Sequence, residues 1–151
     1  MSRNLNVASV LLFIVGAYFI FEGLIALFST ESWVTAWMTI VTKEMLPPSV
    51  SQIQAFSQNL WGFILYVNQF YGLFALYSSL LFCVIALIPY RRGEKWAWYS
   101  MLLIGGFGIV VSGVLVHTGM PGSFPVIVHT ILTILWIIGL ALPAKEILSK
   151  S

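Results

Sequence analysis

The chain alternates between long apolar runs and short polar segments. Four runs, at about residues 7–28, 60–88, 97–117 and 124–142, are each long enough to cross about 30 Å of hydrocarbon as a helix. None of them alternates polar with apolar residues, as the strands of a membrane β-barrel do. Because a helix satisfies its backbone hydrogen bonds within one segment, the pattern predicts an all-α, four-helix membrane bundle.

The segment between the first two runs, residues 30–59, has a different pattern. Apolar residues recur there at helical spacing, among them Trp33, Trp37 and Met45, while Glu31 and threonines fill other positions. This pattern predicts an amphipathic helix that lies in the plane of the outer membrane surface.

A second helix is expected after Pro47 and Pro48, which end the amphipathic one. Ser49 followed by Gln52 is typical of a capping box at a helix start. We expect this helix to continue into the second span, and either to stand partly outside the membrane or to bend near Gly62.

Composition supports a membrane location and excludes several function classes. The 151 residues are 60% hydrophobic and only 8% charged, against about a quarter charged in soluble proteins. We therefore expect one membrane domain over residues 1–151, with no soluble catalytic module, and an uncleaved first span because its apolar run is too long for a signal peptide. The net charge of +2 gives no indication of nucleic-acid binding, and the single Cys83 excludes an intrachain disulfide.

The distribution of lysine and arginine predicts the orientation. Four spans place all basic residues but Lys43 on one side: Arg3, Arg91, Arg92, Lys95, Lys145 and Lys150. The positive-inside rule then predicts a multi-pass membrane protein with both termini in the cytoplasm. An aromatic belt at the inner head groups is expected from Tyr90, Trp96, Trp98 and Tyr99.

The inner turn carries a resemblance to a known group of proteins. Its sequence Arg92-Gly93-Glu94-Lys95-Trp96-Ala97-Trp98 resembles the cytoplasmic turn of small four-helix prokaryotic membrane proteins, some of them grouped as DoxX-like. The resemblance implies a four-helix membrane fold and, for some members, an accessory role in quinol oxidases; it assigns no functional residues. Arg91, Arg92 and Lys95 are also candidates for binding anionic lipid head groups, although such charges usually only set topology.

Polar side chains within the spans are the candidates for chemistry. Glu22 sits among apolar residues, where a carboxylate costs about 2 to 3 kcal/mol. Counted from the span centres, Glu22 and His129 both lie about 7 to 8 Å outward of the midplane, and Gln69 and His117 lie near the outer boundary. We predict a polar cluster that opens outward and consists of Glu22, Asn68, Gln69, Tyr71, His117 and His129.

Several kinds of ligand suit such a cluster. Proton relay, or binding of a quinone or lipid head group, needs only one or two polar groups beside aromatic rings. A metal site of Glu22, His117 and His129 is a weaker candidate, because no histidine pair has the spacing that places two imidazoles on one helix face. The alternative is a protonated Glu22 that bonds a neighbouring helix and only fixes packing. No particular cofactor is implied.

Small residues predict where helices approach each other. A helix-packing seam is expected on the third span at Gly105, Gly106, Gly108, Ser112 and Gly113. In addition, residues 21–29 and 70–78 match at several positions, Phe-x-Gly-Leu-x-Ala-Leu-x-Ser, which is the kind of match expected of an inverted repeat or of a biased composition.

The leading functional hypothesis is a non-catalytic accessory or structural subunit of a larger membrane complex. The small size, the glycine seam and the lack of an assembled nucleophile, base and orienting group favour it and argue against an enzyme. The alternative is a small membrane protein that binds a quinone, lipid or metal, or relays protons, through the outer polar cluster. Membrane lipids and other membrane subunits, or a second copy of the chain, are the expected partners.

Overall fold

A computed structural model describes residues 2–45, 49–106, 108–109, 113 and 124–149. These residues form helices and turns, with no strand among them. In chain order the helices are α1 (Arg3–Phe28), α2 (Thr30–Met45), α3 (Val50–Phe56), α4 (Gln58–Ile85), α5 (Lys95–Ser100), α6 (Phe124–Ala141) and α7 (Ala144–Leu148). Two π-helical turns, Ala86–Tyr90 and Met101–Gly105, continue α4 and α5.

Two helical segments are long and apolar enough to cross a membrane. They are Arg3–Phe28, and Gln58–Tyr90 with its π turn. Only 33% and 39% of the residues in their most apolar stretches are buried, so most of this apolar surface faces outward, unlike a helix in a soluble core. A third apolar helix, Pro125–Ala141, is shorter. Much of the predicted third span lies outside the described residues, but those described between 95 and 113 are helical.

The first helix begins four residues before the predicted apolar run. Ser2 has an extended backbone, and its hydroxyl accepts a hydrogen bond from the Leu5 N–H at 3.2 Å. This cap satisfies one of the free N–H groups of the first turn, so the helix begins at Arg3 rather than near Val7.

The break before the second long helix is at Ser57 and not near Gly62. The capping box at Ser49 and Gln52 is present and starts α3. Ser57 then adopts an extended backbone (φ −162°, ψ 116°) and its hydroxyl accepts from the Leu60 N–H at 3.2 Å. One serine therefore ends α3 and caps α4, which is why the expected continuous helix is divided.

The tightest helix contact is the crossing of α1 and α4. A Cβ atom added to Gly23 would lie 2.9 Å from the Gly72 carbonyl oxygen, and one added to Gly72 would lie 2.9 Å from the Gly23 carbonyl oxygen. The two glycines occupy equivalent places in the matched motifs 21–29 and 70–78, so the two motif copies cross with local two-fold symmetry. The backbones touch because neither residue has a side chain.

The predicted glycine seam on the third span contacts neighbours at one end. Cβ atoms added to Gly105 and Gly106 would lie 2.5 and 3.2 Å from the Trp136 ring, whereas those added to Gly108 and Gly113 would meet no described atom within 4 Å. Ser112 lies outside the described residues. Close backbone approach is therefore seen between α1 and α4, where both helices carry a glycine at the crossing.

Side chains from neighbouring helices bond the carbonyls of both π turns. Ser9 Oγ donates to the Ala86 carbonyl at 2.6 Å, and Trp136 Nε1 donates to the Met101 carbonyl at 3.1 Å. Tyr90 is fully buried and its hydroxyl donates to the Gly139 carbonyl at 2.6 Å, so it lies in the core and not in the expected belt. These bonds supply partners that the wider π turns do not.

Both chain ends and the inner turn lie at the same end of the molecule. Ser2 Oγ donates to Glu146 on α7 at 2.5 Å, and Arg91 Nε donates to Asn6 on α1 at 2.9 Å. Trp98 Nε1 donates to the Leu140 carbonyl at 3.0 Å. This end therefore brings together the described basic residues Arg3, Arg91 and Lys145 of the N-terminal, inner-turn and C-terminal segments.

Candidate ligand site

Glu22 is a buried carboxyl group with one unpaired oxygen. Its side chain lies on α1 and is 4% exposed. Oε1 accepts a long hydrogen bond from the Tyr71 hydroxyl at 3.4 Å, while Oε2 is buried and has no partner in the described part of the chain. A buried polar atom without a partner is rare in proteins, and it marks this carboxyl group as a candidate site for a bound atom or proton.

Asn68 and Tyr71 on α4 both bond to α1, Tyr71 to Glu22 and Asn68 to the backbone of Ala26. They are three residues apart and so share one helix face. Asn68 Nδ2 donates to the Ala26 carbonyl at 3.2 Å, where the hydroxyl of Thr30 also donates, at 2.7 Å. These bonds place three of the predicted polar residues, Glu22, Asn68 and Tyr71, at the outer end of the α1–α4 pair.

An apolar groove between α2 and α4 ends at these polar residues. Its volume is about 360 Å³, and eight described residues line it: Val34, Trp37, Met38, Phe63, Ile64, Val67, Asn68 and Tyr71. None of the eight carries a charge, and only Asn68 and Tyr71 are strongly polar or hydroxyl-bearing. The groove therefore combines a largely apolar wall with the hydrogen-bonding side chains of Asn68 and Tyr71 at one place and the indole N–H donor of Trp37 on α2, which is the usual make-up of a small-molecule site.

His129 lies on the α1–α6 side of the molecule. It is 5% exposed, and its Nδ1 lies 3.0 Å from the Pro125 carbonyl of its own helix. Its ring packs edge-on against Tyr18 and Phe19, with centroids 6.3 and 6.2 Å away. No hydrogen bond joins His129 to Glu22; Tyr18, one helical turn before Glu22, lies beside the imidazole instead.

The remaining predicted site residues do not join this group. Gln69 is exposed on α4, and His117 lies outside the described residues. No group of three His, Cys, Asp or Glu side chains that could hold a metal ion occurs among the residues that the structure describes. Arg91, Arg92 and Lys95 are exposed at the opposite end, where Gly93 turns the chain with a φ of 75°.

Sequence reasoning missed the apolar half of the site. Trp37 and Met38 were assigned to a surface helix and Val67 to a span, with no indication that they share one groove. Tyr18 was also missed. The chain order was one signal that could have indicated the groove. Because α2 follows α1 directly, it is expected to lie near the end of the helix that packs against α1, which is α4.

The groove can form hydrogen bonds with a ligand through Asn68 and Tyr71 and can surround the rest of the ligand with apolar side chains. Cys83 is buried away from the groove, and its Sγ lies 4.0 Å from the Phe13 carbonyl oxygen. When the chain is compared with known proteins, no family model, no curated protein and no solved structure matches it. The DoxX-like resemblance of the inner turn therefore stays a prediction.

Proposed function

We propose that this chain is a non-catalytic accessory subunit of a larger membrane protein complex. In this proposal it crosses a prokaryotic plasma membrane four times and keeps both termini in the cytoplasm. Two observations support that placement. The chain ends and the inner turn share one end of the molecule, and that end exposes Arg91, Arg92 and Lys95.

The observation that carries the proposal is a stripe of aromatic side chains on the outward face of α4. We call it the aromatic stripe; it consists of Tyr66, Phe70, Phe74 and Tyr77, which are 64% to 70% exposed. The spacing of four, four and three residues places them in one row, about 17 Å long. The opposite face of the helix carries small residues such as Gly72, Ala75 and Ser79, which are buried against the rest of the molecule.

Two hydroxyl groups in this stripe distinguish it from an ordinary lipid-facing surface. Tyr77 lies about 5 Å from the midpoint of the segment Gln58–Tyr90, so its side chain points outward near the middle of the span. Neither its hydroxyl nor that of Tyr66 has a hydrogen-bond partner among the described residues. The outward hydroxyls of Ser78 and Thr130, in contrast, donate to carbonyls of their own helices, at 2.8 Å in both cases.

A partner helix would remove this deficit. A hydroxyl without a partner in hydrocarbon costs about 1 to 3 kcal/mol, and lipid tails offer no acceptor. A second transmembrane subunit can supply acceptors while packing against the rings, and aromatic residues are enriched in protein interfaces. We therefore assign the aromatic stripe as the surface that contacts the other subunit.

The test combines site-specific photocrosslinking with tyrosine variants. A benzophenone side chain introduced at Phe74 is expected to form one discrete protein adduct in the native membrane, and the same group at Ile134 on α6, which is also exposed, is expected to label lipid. Tyr66→Phe with Tyr77→Phe removes only the two hydroxyls and is expected to weaken co-purification of the crosslinked subunit. Tyr99→Phe, at an exposed position outside the stripe, is the matched control.

Three results would contradict the proposal. The first is a monodisperse 16.8 kDa protein in mild detergent and in nanodiscs, with only lipid adducts at Phe74. The second is an adduct made of two copies of this chain, which would make the stripe a self-association surface. The third is unchanged co-purification when both stripe hydroxyls are removed.

A further inference from the structure

We propose that the groove between α2 and α4 binds a neutral lipophile whose polar head is a hydroxyl group. This binding site is separate from the aromatic stripe and does not depend on a partner subunit. The groove is lined by Val34, Trp37 and Met38 from α2, and its polar wall is formed by Asn68 and Tyr71 from α4. A volume of about 360 Å³ is within the range of small-molecule sites.

The hydrogen-bonding capacity left at the polar wall selects the head group. Tyr71 uses its only proton on Glu22, and Asn68 uses one N–H on the Ala26 carbonyl. Within the described part of the chain, the Asn68 carbonyl oxygen accepts no hydrogen bond and its second N–H donates none. A hydroxyl group donates one hydrogen bond and accepts others, so it satisfies this remaining acceptor and donor together. An ether or ester oxygen can only accept.

Charge excludes anionic head groups. No described residue of the groove wall is charged, and the acidic group nearest to its polar end is Glu22, whose Oε2 has no partner. Among the described residues, a phosphate or carboxylate in the groove would find no cation to replace its hydration, which is unfavourable. The groove therefore fits an uncharged ligand.

The groove runs opposite to a lipid molecule in the adjacent leaflet, so a ligand held by its hydroxyl group is reversed relative to bulk lipid. Tyr71 and Asn68 are bonded to α1 and so lie beside it, at the level of Glu22 and Ala26. Phe63 lines the other part of the groove and lies about 12 Å farther along α4, beyond the end of α1. The polar groups thus lie on the span side and the apolar wall on the outer side. A phospholipid in the adjacent leaflet has the opposite order, with its head group outward.

Trp37 and Met38 give the ligand its apolar cover. Burial of apolar surface raises the affinity for a bound chain about fourfold for each methylene group. The hydroxyl then decides between ligands of equal chain length. We accordingly expect a long-chain alcohol to bind more tightly than its methyl ether, by about fivefold, which is the effect of one hydrogen bond.

The experiment uses the full chain in nanodiscs of zwitterionic lipid and three matched photoreactive probes. They are a diazirine-bearing dodecanol, its methyl ether and the corresponding dodecanoate. We expect saturable labelling by the alcohol at Trp37 or Met38, mapped by mass spectrometry, with about fivefold weaker labelling by the ether and little by the carboxylate. Unlabelled dodecanol should compete with the alcohol probe.

Two variants test the groove without removing its neighbours. Val67→Phe fills the groove from an exposed apolar position and is expected to abolish saturable labelling, while Val84→Phe, exposed on the same helix, is the control. Asn68→Leu should lower alcohol labelling to the level of the ether. Circular dichroism and size-exclusion profiles check that each variant folds.

Equal labelling by alcohol and ether would overturn the assignment of a hydroxyl head. Stronger labelling by dodecanoate would overturn the assignment of a neutral ligand. Labelling that does not saturate, or that Val67→Phe leaves unchanged, would show only contact with bulk lipid and would overturn the site itself. None of these results changes the expectation for crosslinks at Phe74, so the two proposals fail separately.

Discussion

The crossing of α1 and α4 gives the most direct test of the fold. Gly72→Ala adds one methyl group at the point where the two backbones touch. The new Cβ would lie 2.8 Å from the Leu27 nitrogen and 2.9 Å from the Gly23 carbonyl oxygen. Ordinary contact begins near 3.4 Å, so the atom is about half an ångström too close on two sides. Backbone atoms cannot rotate away as a flexible side chain can, so the helices must separate.

Two opposing terms set the expected size of the effect. Overpacking of a close contact destabilises by about 1 to 3 kcal/mol, whereas replacing a glycine by alanine within a helix stabilises by about 1 kcal/mol. We expect Gly72→Ala to lower the free energy of unfolding by about 0 to 2 kcal/mol, which is the difference of these two terms. Gly62→Ala, on the same helix, is the matched control because its Cβ meets nothing within 4 Å, and it should be neutral or stabilising.

The assay is reversible unfolding in mixed micelles, followed by helicity as the fraction of denaturing detergent increases. The double variant Gly23→Ala, Gly72→Ala adds a second check. Both methyl groups force the same helix separation, so the loss of stability in the double variant should be smaller than the sum of the two single losses. If Gly72→Ala were as stable as Gly62→Ala, the backbone contact between Gly23 and Gly72 would be wrong.

Two further predictions concern buried hydrogen bonds near the inner end. Tyr90→Phe removes the hydroxyl that donates to the Gly139 carbonyl at 2.6 Å and leaves that carbonyl without this partner. We therefore expect the free energy of unfolding, measured by thermal unfolding, to fall by about 1 to 3 kcal/mol. The control Tyr99→Phe, at an exposed position, should change it little. Trp136→Phe removes the donor to the Met101 carbonyl in the second π turn and leaves space beside it; we expect a comparable or larger loss, and faster amide hydrogen exchange in residues 101–105. If amide hydrogens in that turn exchanged as slowly in the variant as in the wild type, the proposed role of the indole would be contradicted.

Local signals in the sequence were sufficient for the helix type and for one helix start. The capping box at Ser49 and Gln52 needs only four residues to form, and the structure contains it. The break at Ser57 is equally local, yet the sequence pattern suggested a continuous helix that either stands partly outside the membrane or bends near Gly62. The reason is that a serine within a helical pattern also fits an exposed helical position, whereas a glycine is the usual candidate for a bend.

The apolar pattern could not predict which side of each helix is buried. A span that is apolar on every side has no polar face to exclude from the interior, so periodicity does not identify its buried side. Small residues were the available guide, but they occur on several spans. Gly23 and Gly72 are in contact because both helices carry a glycine at one level, whereas Gly108 and Gly113 meet no described neighbour.

The sequence by itself determined that the chain is helical and predominantly apolar. It also determined that Glu22 is costly to place in hydrocarbon. Both follow from composition, run length and residue type, which act on each segment separately. Only the tertiary structure decided that Glu22 bonds Tyr71 and that His129 packs on Tyr18 instead. It also decided that α2 covers α4 to form a groove. These outcomes depend on which helices touch and at what level, and that follows from the fit of small side chains between whole helices.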